Sequence, residues 1–344
     1  RPSPMGQNHR LSISAQTNGT YYKAFAISFT DPWMGGRKPN SFTISAHYSD
    51  ENNAYYAWQK GTRYFRTAGV AAGLGKRLDW PDPYFTFYAE ASYERYMLKD
   101  WNTFVLKNGA ANLLSIRLVL GRNSVDQPIY PRRGSDFSVS VQLTPPYSLW
   151  DGKDYKSTAL SEQERYNWIE FHKWMLKGQW FTPLTRNGNL VLMARAEMGY
   201  LGHYNKNKVS PFERFEVGGD GMTGYNMYGI DIISMRGYDD GALDPVGSNY
   251  SCAYNKYTME LRYPLLLKGQ TNIYVLGFLE GGNGFTSWKE FSPFKIKRSA
   301  GIGVRLFLPV VGMVGVDWGW GFDPAAGQTK RSGSHIHFTM GMQF

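Results

Sequence analysis

The stretch Asp136-Phe137-Ser138-Val139-Ser140-Val141-Gln142-Leu143-Thr144 alternates without a break. Phe137, Val139, Val141 and Leu143 fall on one side of an extended chain, and Asp136, Ser138, Ser140, Gln142 and Thr144 on the other. A period of two marks a strand with one apolar and one polar face. The same reading holds for 42–49, where Phe42, Ile44, Ala46 and Tyr48 interleave with Thr43, Ser45, His47 and Ser49. It holds for 256–263, where Tyr257, Met259, Leu261 and Tyr263 interleave with Lys256, Thr258, Glu260 and Arg262. In 298–306 and 313–322 the small or polar face carries Ser299, Gly301, Gly303, Arg305, Gly315, Asp317, Gly319 and Gly321. About fourteen such segments follow one another, near 10–16, 23–31, 41–49, 64–77, 84–97, 113–122, 135–144, 171–181, 190–201, 256–264, 272–281, 298–308, 313–323 and 335–344. Most are longer than the roughly five or six residues of a soluble strand and match the roughly 9–11 that cross a bilayer at a tilt. The best helical window, 159–176, supports only a short loop helix around Glu162, Glu164 and Arg165.

The connections alternate as well. Compact Pro/Gly turns at 31–36, 79–83, 126–134, 182–188, 267–269 and 309–312 are interleaved with longer, mostly polar loops near 50–63, 98–112, 145–170, 202–255, 282–297 and 324–334. Short turns on one side and long loops on the other are the habit of a transmembrane barrel, and a soluble sandwich has no reason to sort them so. The expected fold is therefore all-β: a transmembrane, antiparallel, up-and-down barrel.

Composition agrees. The 344 residues include 38 Gly, 24 Tyr, 20 Phe and 11 Trp, yet mean hydropathy is only −0.43. A lipid face and a watery face along every strand reconcile these values. The longest apolar stretch, 306–316, is broken by Pro309 and Gly312 and is too short for a spanning helix. Disorder is excluded by an aromatic content of 16%. Trp33, Trp80, Tyr84, Trp101, Trp174, Trp180, Trp318 and Trp320 are candidates for the interfacial girdles. The formal charge of +10 favours anionic partners, although no basic run dominates. Cys252 is the single cysteine, so no internal disulfide can form. The pair His335 and His337 lacks an evident third metal ligand, and no GxSxG or HExxH occurs. No catalysis, metal or cofactor is expected.

Four motifs in order carry a family resemblance. Met235-Arg236-Gly237-Tyr238 lies in the longest connection, preceded by Phe212 through Gly219. Phe278, Glu280 and Gly282 follow on a later strand. Phe338-Thr339-Met340-Gly341-Met342-Gln343-Phe344 closes the chain, and Phe29-Thr30-Asp31-Pro32-Trp33 forms an early turn. Together these resemble the BamA family of outer-membrane barrel assembly proteins over nearly the whole chain. Met235–Tyr238 is similar to that family's V/I-R-G-F/Y loop tip, and the 278–282 set to its F-x-D-x-G element with Glu in place of Asp.

The resemblance implies one domain over 1–344, with 202–255 as a sixth extracellular loop folded into the lumen and about fourteen strands present of an expected sixteen. The first two strands and the periplasmic domains are then expected upstream. It implies an ion pair from Arg236 to Glu280 inside the barrel, since a partly desolvated guanidinium needs an anionic partner. Asp317, facing the lumen by parity, is expected as a second acid, while Arg262, Arg195 and Arg305 are the alternative partners for both acids. Phe338, Gly341 and Phe344 are expected in the closing strand, with Gly341 loosening the seam. The implied function is insertion of other barrels into the bacterial outer membrane, an open strand edge templating each client. Unfolded barrel clients, accessory lipoprotein subunits, the bilayer and lipopolysaccharide are the implied partners, and nucleic acid is not. The alternative is a polypeptide-secretion channel of the same superfamily.

Overall fold

A computed structural model describes residues 9–34, 40–54, 61–101, 106–222, 229–247, 250–268, 271–309 and 312–340. The strands are β1 (Arg10–Asn18), β2 (Tyr22–Asp31), β3 (Asn40–Asn52), β4 (Tyr64–Arg77), β5 (Phe85–Lys99), β6 (Gly109–Asn123), β7 (Gly134–Leu143), β8 (His172–Pro183), β9 (Val191–Gly202), β10 (Phe215–Val217), β11 (Asp231–Ile233), β12 (Ala253–Lys268), β13 (Thr271–Phe285), β14 (Lys297–Leu308), β15 (Gly312–Pro324) and β16 (Arg331–Met340). Fourteen of them form one sheet in which each strand lies beside its neighbour in sequence. The sheet is antiparallel, as short connections between adjacent strands require. β10 and β11 form a separate parallel pair within the long β9–β12 connection. The bounds expected from alternation agree with those observed to within a few residues, except that residues 341–344 of the last expected strand lie outside the described ones.

The described chain groups into two compact units. The first takes Arg1–Leu120, Ser140–Lys173 and Gly202–Pro211. Here β1 to β5 pair in continuous register. Its 145–170 connection is not a bare polar loop. Ser161 caps the helix α1 (Glu162–Tyr166) in a capping box with Glu164. The Arg165 guanidinium donates to the carbonyls of Tyr155 and Asn207. Lys208, 2% exposed, stands 3.5 Å from the buried Glu170 carboxylate. Burial pulls the Lys208 ammonium below its ordinary range, and the nearby Glu170 charge opposes that fall.

The second unit takes Gly121–Val139, Trp174–Leu201 and Phe212–Phe344. Its strands reverse the soluble habit. On β15 the buried side is Met313, Gly315, Asp317, Gly319 and Gly321, while Val316, Trp318, Trp320 and Phe322 are exposed. On β14 the exposed side chains are Ile302 and Val304, and Ser299 and Arg305 are buried. Exposed apolar side chains on one face and buried polar ones on the other are what a wall between lipid and water needs. The Asp126–Gly134 turn, read from sequence as an ordinary compact turn, sends Tyr130 into the buried face. There Tyr130 packs with Phe181, Val191, Met193, Tyr274, Leu276, Phe278 and Met313. Its hydroxyl donates to the carbonyls of Asn189 and Arg262, at 2.7 and 2.9 Å. An apolar cluster thus floors the region in which the charged residues meet.

Candidate functional site

The β9–β12 connection is tied to itself before it reaches the sheet. Phe215 and Ser251 exchange backbone hydrogen bonds of 2.9 and 2.7 Å. Asp244 accepts from the Ser251 hydroxyl and the Val217 N–H. The Met235 N–H donates to the Gly219 carbonyl at 2.8 Å, and the Gly219 N–H to the Tyr238 carbonyl at 3.1 Å. Met235 and Tyr238 are completely buried. The tip is therefore a fixed turn that presents the Arg236 side chain between them.

Arg236 meets the wall through several bonds at once. Its backbone N–H donates to Glu280 Oε2 at 2.9 Å, and Nε and Nη2 donate to Glu280 Oε1 at 3.0 and 2.6 Å. Nη2 also reaches Glu260 Oε1 at 2.7 Å. Nη1 lies 3.6 Å from Asp317 Oδ2. That contact is longer because Arg305 already engages both Asp317 oxygens, at 2.8 and 2.7 Å. Glu260 is shared in turn with Arg262, whose Nε and Nη2 stand 2.8 and 2.7 Å from Oε2. The guanidinium plane lies over the Phe278 ring, 3.7 Å from its centroid. Three guanidiniums thus face three carboxylates, so the buried set is neutral as a whole, as low dielectric demands.

Strand register explains how these groups converge. Thr258 sits opposite Glu280, and its hydroxyl donates to Glu280 Oε1 at 3.2 Å. Glu260 sits opposite Phe278, which in turn faces Gly301 on β14. A Cβ on Gly301 would stand 2.5 Å from the Phe278 ring, and one on Gly315 would stand 2.7 Å from Arg305. The glycines of the small face therefore clear volume for the arene and the arginines.

Gly237 has φ +87, and a Cβ there would approach the β15 backbone at Gly321 N to 3.0 Å. Its N–H donates to His337 Nε2 at 2.8 Å, which requires that nitrogen to be unprotonated. Tyr238 donates to the Arg298 carbonyl at 2.8 Å. Gly282 faces the Met235 sulfur; a Cβ there would stand 3.5 Å from it and 2.7 Å from the Asn255 carbonyl. Phe338 is 55% exposed on β16. Gly341 and Phe344 lie outside the described residues. Sequence reasoning placed Glu260 on the polar face of its strand without assigning it to Arg236. It placed His337 on the inward face of its strand and favoured a structural or surface role over a metal ligand, without assigning it to Gly237; among the described residues no group of His, Cys, Asp or Glu is placed to hold a metal ion.

Residues 5–344 match the Omp85 superfamily domain. The chain belongs to the Omp85 superfamily. It is 23% identical over 258 residues to the outer membrane protein assembly factor BamA of Neisseria meningitidis, covering 69% of this chain and 27% of that protein. The fold is similar to BamA from Haemophilus ducreyi lacking POTRA domains 1–3, with a TM-score of 0.67 at 17% identity over 96% of this chain and 63% of that one. It is also similar to CdiB from Escherichia coli, with a TM-score of 0.54 at 12% identity over 92% of this chain and 52% of that one. The chain thus spans about a quarter of the curated relative and under two thirds of each of these solved chains.

This Omp85 chain has the fold of a BamA-type barrel, an antiparallel up-and-down β-barrel of the bacterial outer membrane. No helix among the described residues is long and apolar enough to cross a membrane. Arg236 docks on the buried face of the second unit.

Proposed function

We propose that this chain is the barrel domain of a central insertase subunit, which folds and inserts β-barrel proteins into the outer membrane by templating client strands at a lateral seam. One observation carries the reading: the arginine tip is bonded both to the wall, through Glu280 and Glu260, and to the end strand β16, through His337. A loop so placed can hold the wall rigid beside a strand edge that is exchanged during each cycle. β-Augmentation at that edge needs backbone groups and a bilayer, with no covalent step. Unfolded barrel proteins are the proposed clients. Accessory lipoproteins and lipopolysaccharide are the proposed partners, the latter suited to a chain of net charge +10.

The competing reading is a polypeptide-secretion channel on the same fold. A chain threading the lumenal face of the second unit would have to strip Arg236 from its two hydrogen-bonded carboxylates and reopen the cluster around Tyr130. That cost favours insertion at the edge over passage along this face. Depletion of the full-length protein in its host, followed by quantification of all outer-membrane barrels, separates the two. Insertase function lowers many barrels together. Unchanged abundance of every other barrel would sink the assembly reading.

A further inference from the structure

On β12 and β13 the apolar, exposed face changes character along the strands. Met259 and Leu279 lie opposite each other and are exposed, as the lipid band requires. Ala253 and Asn255 share the parity of Met259, and Asn283 and Phe285 that of Leu279, so all four point to the same face. All four are nevertheless buried. The β13–β14 connection covers them. Asn255 Nδ2 donates to the Ser292 carbonyl at 2.9 Å. The Phe291 ring meets Phe285 edge-on at 5.3 Å and stacks on Trp288 at 4.7 Å. Trp288 reaches Tyr200 at 5.1 Å, and register places Tyr200 beside Ala253. Ile296 closes over Gly281, where a Cβ would stand 2.8 Å from Ile296 Cδ1. Residues 286–296 therefore fold back over the lipid face and not over the charged cluster. Gly281 is two residues, roughly 7 Å, from Leu279, so Ile296 borders the apolar band. β13 lies inside the sheet, with β12 on one side and β14, β15 and β16 on the other. The covered face does not depend on how the sheet ends.

The outer side of this folded connection is apolar and basic. Phe294 is 90% exposed, and Trp288 is exposed too. Lys289 and Lys295 are their exposed neighbours in sequence. Of the other cations in 286–298, Arg298 pairs with Asp323, and Lys297 stands opposite Gly282 on the inner face. Glu290 is the one acid of the segment, and it accepts the Thr286 hydroxyl at 3.0 Å. An aromatic ring held bare beside an apolar band and flanked by ammonium groups matches the layer where acyl chains meet headgroup phosphates.

We propose that the β13–β14 connection is a lipid anchor, in which Phe294 enters the upper acyl layer and Lys289 and Lys295 bind phosphates of lipopolysaccharide. The long connections of an outer-membrane barrel lie outside the cell, on the leaflet that carries this lipid. The anchor is fixed to β12 and β13, the two strands whose opposite face holds Glu260 and Glu280 against Arg236. It thus ties a lipid to the part of the wall on which the loop tip docks. The identity of the lipid rests on the lipopolysaccharide partner proposed above. The insertion of Phe294 rests on the membrane barrel alone.

The test uses the full-length protein and reads two quantities. The first is the affinity of the detergent-solubilised protein for purified lipopolysaccharide. The second is the fluorine signal of a fluorophenylalanine at position 294 in phosphatidylcholine nanodiscs, with and without a lipid spin-labelled at its headgroup. Lys289→Gln with Lys295→Gln should weaken binding about tenfold, the order expected for two lysines at an anionic lipid surface, and Phe294→Ser several-fold. Lys153→Gln with Lys156→Gln removes the same charge from exposed positions in another long connection and should stay near wild type. The fluorine signal should broaden with the spin-labelled lipid. An unbroadened signal overturns the anchor, as does unchanged affinity in the loop variants. Equal weakening in the Lys153 and Lys156 variant overturns it too, since net charge alone would then account for binding. Phosphatidylglycerol bound as tightly as lipopolysaccharide, and weakened equally by the loop variants, overturns the assignment to lipopolysaccharide. A broadened signal with no lipopolysaccharide bound by the wild type contradicts the partner reading itself, while the insertion of Phe294 stands.

Discussion

Arg236 is 8% exposed and shares hydrogen bonds with two carboxylates, so its removal strands buried negative charge. Losing one partner of a buried pair costs about 3–5 kcal/mol. Arg236→Met is therefore expected to lower the unfolding free energy of the barrel, read from urea titration in micelles, by an amount of that order. Arg236→Met with Glu280→Gln removes one charge of each sign and leaves Arg262 and Arg305 facing Glu260 and Asp317. The double variant should recover a large part of the loss. Additive losses in the double variant would show that the two groups are not coupled. Sequence made the Arg236–Glu280 contact expectable only through the family resemblance. It could not assign Glu260, because that assignment depends on which residue of β12 faces which residue of β13, a property of pairing and not of either strand.

At the scale of the element, the β9–β12 connection behaves as a small folded body with a pH-sensitive anchor. Asp244 is 6% exposed, and burial, aided by the Glu216 charge, pushes its carboxyl up to about 8 against the bonds from Ser251 and Val217. Its Oδ2 is buried without a hydrogen-bond partner. A carboxyl whose folded value lies above its ordinary value gives stability that is complete below that ordinary value and is lost as pH rises through the folded one. Exchange of the Val217 and Ser251 amides should therefore be slower near about pH 5 than near about pH 9, beyond the intrinsic pH effect, and Asp244→Asn should flatten the difference. Equal protection at both pH values would contradict the anchor. This body was hidden from the sequence: β10 and β11 have three residues each, too few for any period to be read. The helix α1 was partly legible, because Ser161 and Glu164 form a local capping box. The fourteen sheet strands were legible for the same reason, since alternation is written residue by residue.

At the scale of the molecule, an exposed apolar band on the strands is the surface that faces lipid. Ile302 is 63% exposed near the middle of β14. Ile302→Lys should cost about 2–4 kcal/mol in a bilayer, as a cation at the midplane of a barrel does. The same change at Leu149, 64% exposed in a loop, should stay within about 0.5 kcal/mol. Folding into liposomes at graded urea concentrations measures both, and equal effects would contradict the membrane assignment. The apolar floor around Tyr130 was not legible, because a turn that folds inward has the same composition as one that points to water. The proposed function rests on the docked loop tip, with Arg236 bonded to Glu280 and Glu260 and Gly237 to His337. Its most direct measurement is the folding rate of an unfolded barrel client added to liposomes that hold the full-length protein, as wild type or Arg236→Met. The account predicts faster client folding with the wild type and loss of most of that gain in Arg236→Met; no acceleration by the wild type, or equal acceleration by the variant, would contradict it.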